Sequence, residues 1–139
     1  MTATGHLDRL PPGEGMHPPE LSVTLSQERI NSYAEASGDH NPIHLDPDVA
    51  RAVGLPSTIA HGLLTLAAAA APLERWSGEA AYVSRVSCRF SAPVPSGDLV
   101  SGQPQVREAD PGRMVLVLEA RNGSGEPALT KAEMELRPL

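Results

Sequence analysis

The stretch from Gly62 to Trp76 constrains this chain most. Leu63, Leu64, Leu66, five consecutive alanines (Ala67 to Ala71) and Leu73 make it apolar nearly all round. The spacing predicts a helix there, and a helix of that kind is usually buried. The alanine run also lets a backbone or a slender ligand approach closely. From residue 80 the hydrophobic period changes to two. Tyr82, Val86, Cys88 and Phe90 share one predicted face, and Arg85, Ser87 and Arg89 share the other. Gly97 to Arg107 reads as a second strand in this half, with Pro104 implying an edge or a bulge. Met114, Leu116, Leu118 and Ala120 then alternate with Val115, Val117, Glu119 and Arg121. Asn122-Gly123 and Ser124-Gly125 give a tight turn. In the last strand Ala128, Thr130, Ala132, Met134 and Leu136 are expected inward, with Lys131, Glu133, Glu135 and Arg137 outward.

The first half is punctuated differently. Residues 1 to 19 carry Pro11, Pro12, Pro18, Pro19 and several glycines, and read as an extended arm. Residues 20 to 139 read as one domain. Glu20 to Leu25 looks like a short strand. Ser26 is a good N-cap for a helix from Gln27 to Ser37, ended by Gly38. Asp46-Pro47 starts a short helix to about Val53. The order is therefore strand, helical block, then four strands joined by short turns. That is an α+β layout with an antiparallel sheet, whose inner face the apolar helix can cover.

Composition narrows the function classes. The 139 residues suffice for one domain with a sizeable core. Aromatics are 3%, so aliphatic residues must fill that core, which suggests that another subunit covers part of the apolar surface. The formal net charge of −6 argues against nucleic acid as a partner. Lys131 is the single lysine against ten arginines, which reads first as coding bias. The single cysteine, Cys88, excludes an intramolecular disulfide and points to a reducing compartment. No secretory signal is read in residues 1 to 20. The longest apolar run, Leu63 to Pro72, is too short to span a bilayer. A cytoplasmic location is expected, with no membrane partner.

Ser37-Gly-Asp-His-Asn-Pro-Ile-His-Leu-Asp46 holds the candidate chemistry. Gly38 and Asn41-Pro42 mark a bent, stiff loop. Asp39 and His44 on that loop form a candidate general acid/base pair. The competing reading makes both turn-stabilising residues. At His61-Gly62 the apolar helix begins. Its first N–H groups lack intrahelical partners, so the Gly62 N–H is a candidate oxyanion donor. Together these groups suit enolate chemistry beside a thioester or other carbonyl. A metal held by His40, His44, Asp46 and His61 is the weaker reading, because metal sites need three or four fixed ligands. His61 is expected to hydrogen-bond near the helix start. Cys88 is expected to pack in the core, and Arg85 and Arg89 to lie on a solvated face.

Two segments, Tyr33 to His44 and Gly54 to Thr65, together resemble the MaoC-like (R)-specific enoyl-CoA hydratases. The resemblance is nearest to the HadB-type catalytic subunit of (3R)-hydroxyacyl-ACP dehydratases. It continues through Trp76 and Arg89-Phe-Ser-Ala-Pro-Val94 and covers about residues 20 to 137. It implies a single hot-dog fold, with the Gly62–Trp76 helix wrapped by the sheet. By the same resemblance Asp39 and His44 are the catalytic dyad and Gly62 the oxyanion donor. Asn41 would brace the loop. Some members carry a serine on the central helix that helps orient the aspartate. The corresponding position here is Ala70, so that help is missing. The resemblance further implies dimers, with the acyl chain in a tunnel along the subunit interface. The substrate would be an acyl-CoA or acyl-carrier-protein thioester, and no cofactor is called for. Two rival readings remain, a hot-dog acyl thioesterase and a non-catalytic acyl-binding subunit of a heterodimer.

Overall fold

The computed structural model describes residues 17–78 and 81–139. Most of the expected N-terminal arm lies outside the described residues. Its end passes close to the sheet, where Gln103 Nε2 donates to Pro18 O at 3.1 Å. Strand β1 (Leu21–Thr24) leads into α1 (Gln27–Ser37). A 3-10 turn (Pro42–His44) and the short α2 (Pro47–Ala52) follow, then α3 (Gly62–Ser77). Five strands complete the chain: β2 (Ala81–Phe90), β3 (Leu99–Gly102), β4 (Gln105–Asp110), β5 (Arg113–Arg121) and β6 (Pro127–Pro138).

The helix boundaries follow the local chemistry. Ser26 caps α1 by accepting from Arg29 N, and Gly38 ends it at φ 78°, in the left-handed region that glycine tolerates. Ile30 and Ala34 bury one turn of that helix in the core. Burying a side chain the size of Ile30 contributes about 1.5–3 kcal/mol. Asp46 caps α2 through Asp48 N and Val49 N, with Pro47 in the first helical position.

All strand pairings are antiparallel, in the order β1-β3-β5-β6-β2, with β4 also on β5. The segment expected as one strand from Gly97 to Arg107 is two. Pro104 lies in the bend between β3 and β4, fully buried and without an N–H for the ladder. Five strands therefore follow α3, where four were expected.

Two further expectations are corrected by bulges. The β2–β6 register slips between Val83 and Arg85 and again between Ser87 and Arg89. A slip of one residue exchanges the faces of a strand. Tyr82, 44% exposed, pairs with Arg137 and turns away from the core, where Ala81 and Val83 pack instead; Val86 and Phe90 pair with the core residues Met134 and Leu129 and keep the expected helix-facing side with Cys88, though they are 39% and 53% exposed. In β6 the irregularity centres on Lys131, a non-glycine residue at φ 50°. Ahead of it the buried pair is Ala128 and Leu129, with Thr130 half-buried; beyond it Ala132, Met134 and Leu136 return to the core.

Helix α3 lies against the sheet, burying Thr65, Ala69, Leu73 and Ser77 as one stripe. It is not buried all round in the single chain, since Leu63 is 62% exposed. The core has two parts. Leu21, Leu25, Ile30, Val100 and Leu129 pack near the start of α3. Leu73, Met114, Leu116, Met134 and Leu136 pack near its end.

Candidate active site at the start of the central helix

The loop after α1 is held by its own short side chains. Asp39 N donates to Ser37 Oγ at 3.1 Å, and Asn41 N donates to Asp39 Oδ1 at 3.2 Å. Asn41 Oδ1 accepts from Ile43 N at 3.2 Å and so starts the 3-10 turn. That turn carries His44 inward, to 7% exposure, while Asp39 stays exposed.

The imidazole of His44 has a defined partner. Its Nδ1 lies 2.7 Å from Ile59 O. A carbonyl only accepts, so Nδ1 carries a proton, and in the neutral imidazole the lone pair lies on Nε2. His61 is 2% exposed and directs Nε2 to Asp39 O at 3.0 Å. Its ring stacks on His44 with centroids 3.8 Å apart and planes inclined by 26°. Tyr33 leans on the other histidine, His61, at 4.7 Å and 58°. One side-chain atom from each of Asp39, His44 and His61 falls within 4.8 Å of the other two.

The candidate metal ligands part company here. Asp46 is occupied in capping α2, and His40 is exposed beside Glu35 and Gly38 O. At His44 and His61 the nitrogens Nδ1 and Nε2, respectively, are engaged by carbonyls, which leaves each ring one further nitrogen.

Gly62 follows His61 directly and opens α3, so its N–H has no intrahelical acceptor. A cavity of about 300 Å³ opens beside it, lined among others by Leu55, Ile59, Gly62, Thr65 and Phe90. Asp39 and His44 do not line this cavity. His44 adjoins it through Ile59, and Asp39 through His61, the neighbour of Gly62. A second cavity of about 20 Å³ lies further along α3, between Leu66, Ala70 and Leu73 and the sheet residues Val86 and Met134. Leu129 lines both cavities. Ala70 is therefore eight residues from Gly62, about 12 Å along the helix. The thiol of Cys88 packs against the core, where burial raises its pKa.

Sequence reasoning missed Gln27 and Thr58. Gln27 Nε2 donates to His44 O at 2.8 Å, and Thr58 Oγ1 donates to Gln27 Oε1 at 2.7 Å. Both contacts join distant parts of the chain; Gln27 lies outside the two motifs, and Thr58 lies within the Gly54 to Thr65 segment without having been singled out.

The model of the family described as MaoC like domain matches residues 11–126. The chain belongs to this family. Among curated relatives, 3-hydroxyacyl-thioester dehydratase Z of Mycobacterium tuberculosis is 41% identical over 87 residues, covering 56% of this chain and 55% of the relative. Dehydratase Y of the same organism is 37% identical over 129 residues, covering 91% of this chain and 44% of the relative. The chain thus spans about half the length of these curated MaoC-like relatives. A solved structure described as a MaoC-like dehydratase superposes with a TM-score of 0.83 at 32% identity, over 98% of this chain and 43% of that one. The fold is the hot-dog fold expected from the sequence. Among the described residues, no helix is long and apolar enough to cross a membrane.

Proposed function

We propose that this MaoC-like domain catalyses reversible water elimination and addition at a (R)-3-hydroxyacyl/trans-2-enoyl thioester. The observation that carries the reading is the convergence of Asp39 and His44 beside the start of α3. In elimination, His44 Nε2 takes a proton from the α-carbon. The electron pair of that C–H bond forms the C2–C3 double bond. The C3–O bond breaks, and its oxygen leaves as water with a proton from the acid form of Asp39. Hydration runs the same steps backwards. The Gly62 N–H, at the positive end of α3, stabilises the thioester oxygen as negative charge develops on it. Asn41 and His61 brace the Asp39 loop, and the Ala70 cavity lies along the course of the acyl chain.

The free tautomeric lone pair on His44 Nε2 supports its role as acceptor. The names of the MaoC-like relatives support the reaction class. We further infer that a second hot-dog domain covers the open side of α3 and β2. Leu63, Val86 and Phe90 are exposed there, and β2 ends the sheet. The substrate is an acyl-CoA or acyl-carrier-protein thioester.

The test is an absorbance assay for the enoyl thioester, with CoA- and carrier-bound substrates of several lengths. His44→Ala and Asp39→Asn should each abolish turnover while the protein stays folded. A His44→Ala variant near the wild-type rate would overturn the dyad. Release of free thiol without enoyl formation would favour a thioesterase instead.

A further inference from the structure

A proton acceptor must be held in both backbone and ring, because a misplacement near 1 Å can lower a rate about a hundredfold. The ring of His44 is held by Ile59 O. Its backbone poses a separate problem. The 3-10 turn uses the carbonyls of Asn41 and Pro42, which accept from His44 N, Leu45 N and Asp46 N. The His44 carbonyl follows those and points toward the start of α1. There Gln27, in the first helical position after the Ser26 cap, meets it at 2.8 Å.

Gln27 is fully used. Its second N–H goes to Asn31 Oδ1 at 2.9 Å, and its Oε1 accepts from Thr58 Oγ1 at 2.7 Å. Thr58 is 4% exposed and is itself fixed, since its carbonyl accepts from Ser96 N at 2.8 Å. It immediately precedes Ile59. Ile59 returns to the loop twice, through Ile59 N to Ile43 O at 3.2 Å and through its carbonyl to His44 Nδ1. A closed ring results: His44 imidazole, Ile59 carbonyl, Thr58 hydroxyl, Gln27 amide, His44 carbonyl.

We propose that Gln27 and Thr58 are positioning residues, a clamp that fixes His44 relative to Ile59 O and thereby holds its imidazole in the Nδ1–H tautomer. The clamp couples the two ends of one histidine through an element that contributes nothing to the chemistry. Without Gln27 the His44 carbonyl loses its donor, and the turn shifts against the Thr58-Ile59 segment. The Nδ1–Ile59 bond then lengthens, and the lone pair on Nε2 is present for a smaller share of the time. This inference rests on the reading that His44 accepts the α-proton.

The test uses Gln27→Met and Thr58→Val, which keep side-chain volume near the original and remove the hydrogen bonds. Enoyl-thioester kinetics and the ¹⁵N spectrum of the His44 imidazole are recorded for each, beside wild type and His44→Ala. Expected is a fall in kcat of ~10- to 100-fold with KM within about twofold. The His44 resonances should move from a pure Nδ1–H pattern toward a mixed one. The double variant should be no worse than the weaker single variant within about twofold, because both act through one chain. Asn122→Ala, in the β5–β6 turn away from the loop, controls for lost stability and should leave kcat unchanged below its melting range. If Gln27→Met does not fold, Thr58→Val carries the test alone. Wild-type kcat in a folded clamp variant, with His44→Ala inactive, overturns the clamp. If wild type and His44→Ala are equally inactive on every substrate, the functional reading fails instead. The tautomer spectrum then decides the clamp by itself.

Discussion

His44 and His61 lie ring on ring, centroids 3.8 Å apart, with their hydrogen bonds running to two different carbonyls. His44 reaches Ile59, on the segment leading into α3, while His61, at the cap of α3, reaches back to Asp39. The stack therefore crosses two straps between the same pair of segments. It sets the acid/base loop against the helix start that carries the Gly62 N–H.

The two contributions of His61 separate by substitution. His61→Phe keeps a ring against His44 and Tyr33 but leaves Asp39 O without its donor. His61→Ala removes both and opens a cavity in a site 2% exposed. The alanine variant should lose ~2–4 kcal/mol of stability in urea titration, and the phenylalanine variant ~1–2 kcal/mol. Both should lower kcat. If the phenylalanine variant retains full kcat, the strap to Asp39 carries no catalytic weight.

Gly62 gives a sharper prediction. A Cβ there would sit 3.0 Å from the Phe90 ring. Phe90 is 53% exposed, so its ring can swing aside. Gly62→Ala should therefore fold with a loss of stability below about 1 kcal/mol. Its methyl group would enter the cavity beside the N–H, and kcat/KM should fall ~10- to 100-fold, in the range of removing one oxyanion donor. Thermal melting and steady-state kinetics on the same sample separate the two effects.

What the sequence revealed and concealed follows from the range of each signal. Ser26, Gly38, Asp46-Pro47 and Gly62 act on their own neighbours, and the helices begin and end where these residues place them. Asp39, His44 and Gly62 were singled out because two motifs resemble one family at a set separation, and the structure brings Asp39 and His44 together beside the start of α3. The phase of β2 and β6 was not legible, since a bulge is decided by pairing between strands about fifty residues apart. Pro104 announced a break that alternation across Gly97 to Arg107 hid. Gln27 looked like any residue in a first helical turn. Its partner His44 is 17 residues away, and the contact is to a backbone carbonyl that no sequence pattern marks.

Gly102 should prove intolerant for a reason opposite to that of Gly62. An added Cβ would lie 2.4 Å from the Glu119 carbonyl oxygen and 2.9 Å from Leu118 Cδ1. The first is backbone in the central strand β5 and cannot swing aside. Gly102→Ala should push β3 off β5 and destabilise the domain by ~1–3 kcal/mol. Denaturant midpoints compared with those of Gly62→Ala provide the measurement. Equal midpoints would mean that the β3–β5 approach is looser than described.

The solvent face of the sheet should set the acid limit of stability through Glu135. Its carboxylate accepts from Arg113 Nε at 2.6 Å, from Ser84 Oγ at 2.8 Å and from Arg137 Nε at 2.9 Å. These bonds, Arg113 first, lower its pKa from 4.5 to about 2. A lowered folded-state pKa favours the fold above the unfolded value. The contribution is thus complete above pH 4.5 and disappears as the pH falls through 2. Neighbouring Glu133, lowered by Arg107, acts in the same direction. Urea midpoints measured from pH 6 down to pH 2 should decline steeply in the lower half of that range. Glu135→Gln should start lower at pH 6 and decline less, because the substituted amide has no proton to gain. Parallel curves for the two proteins would mean that the Arg113 contact does not persist in solution.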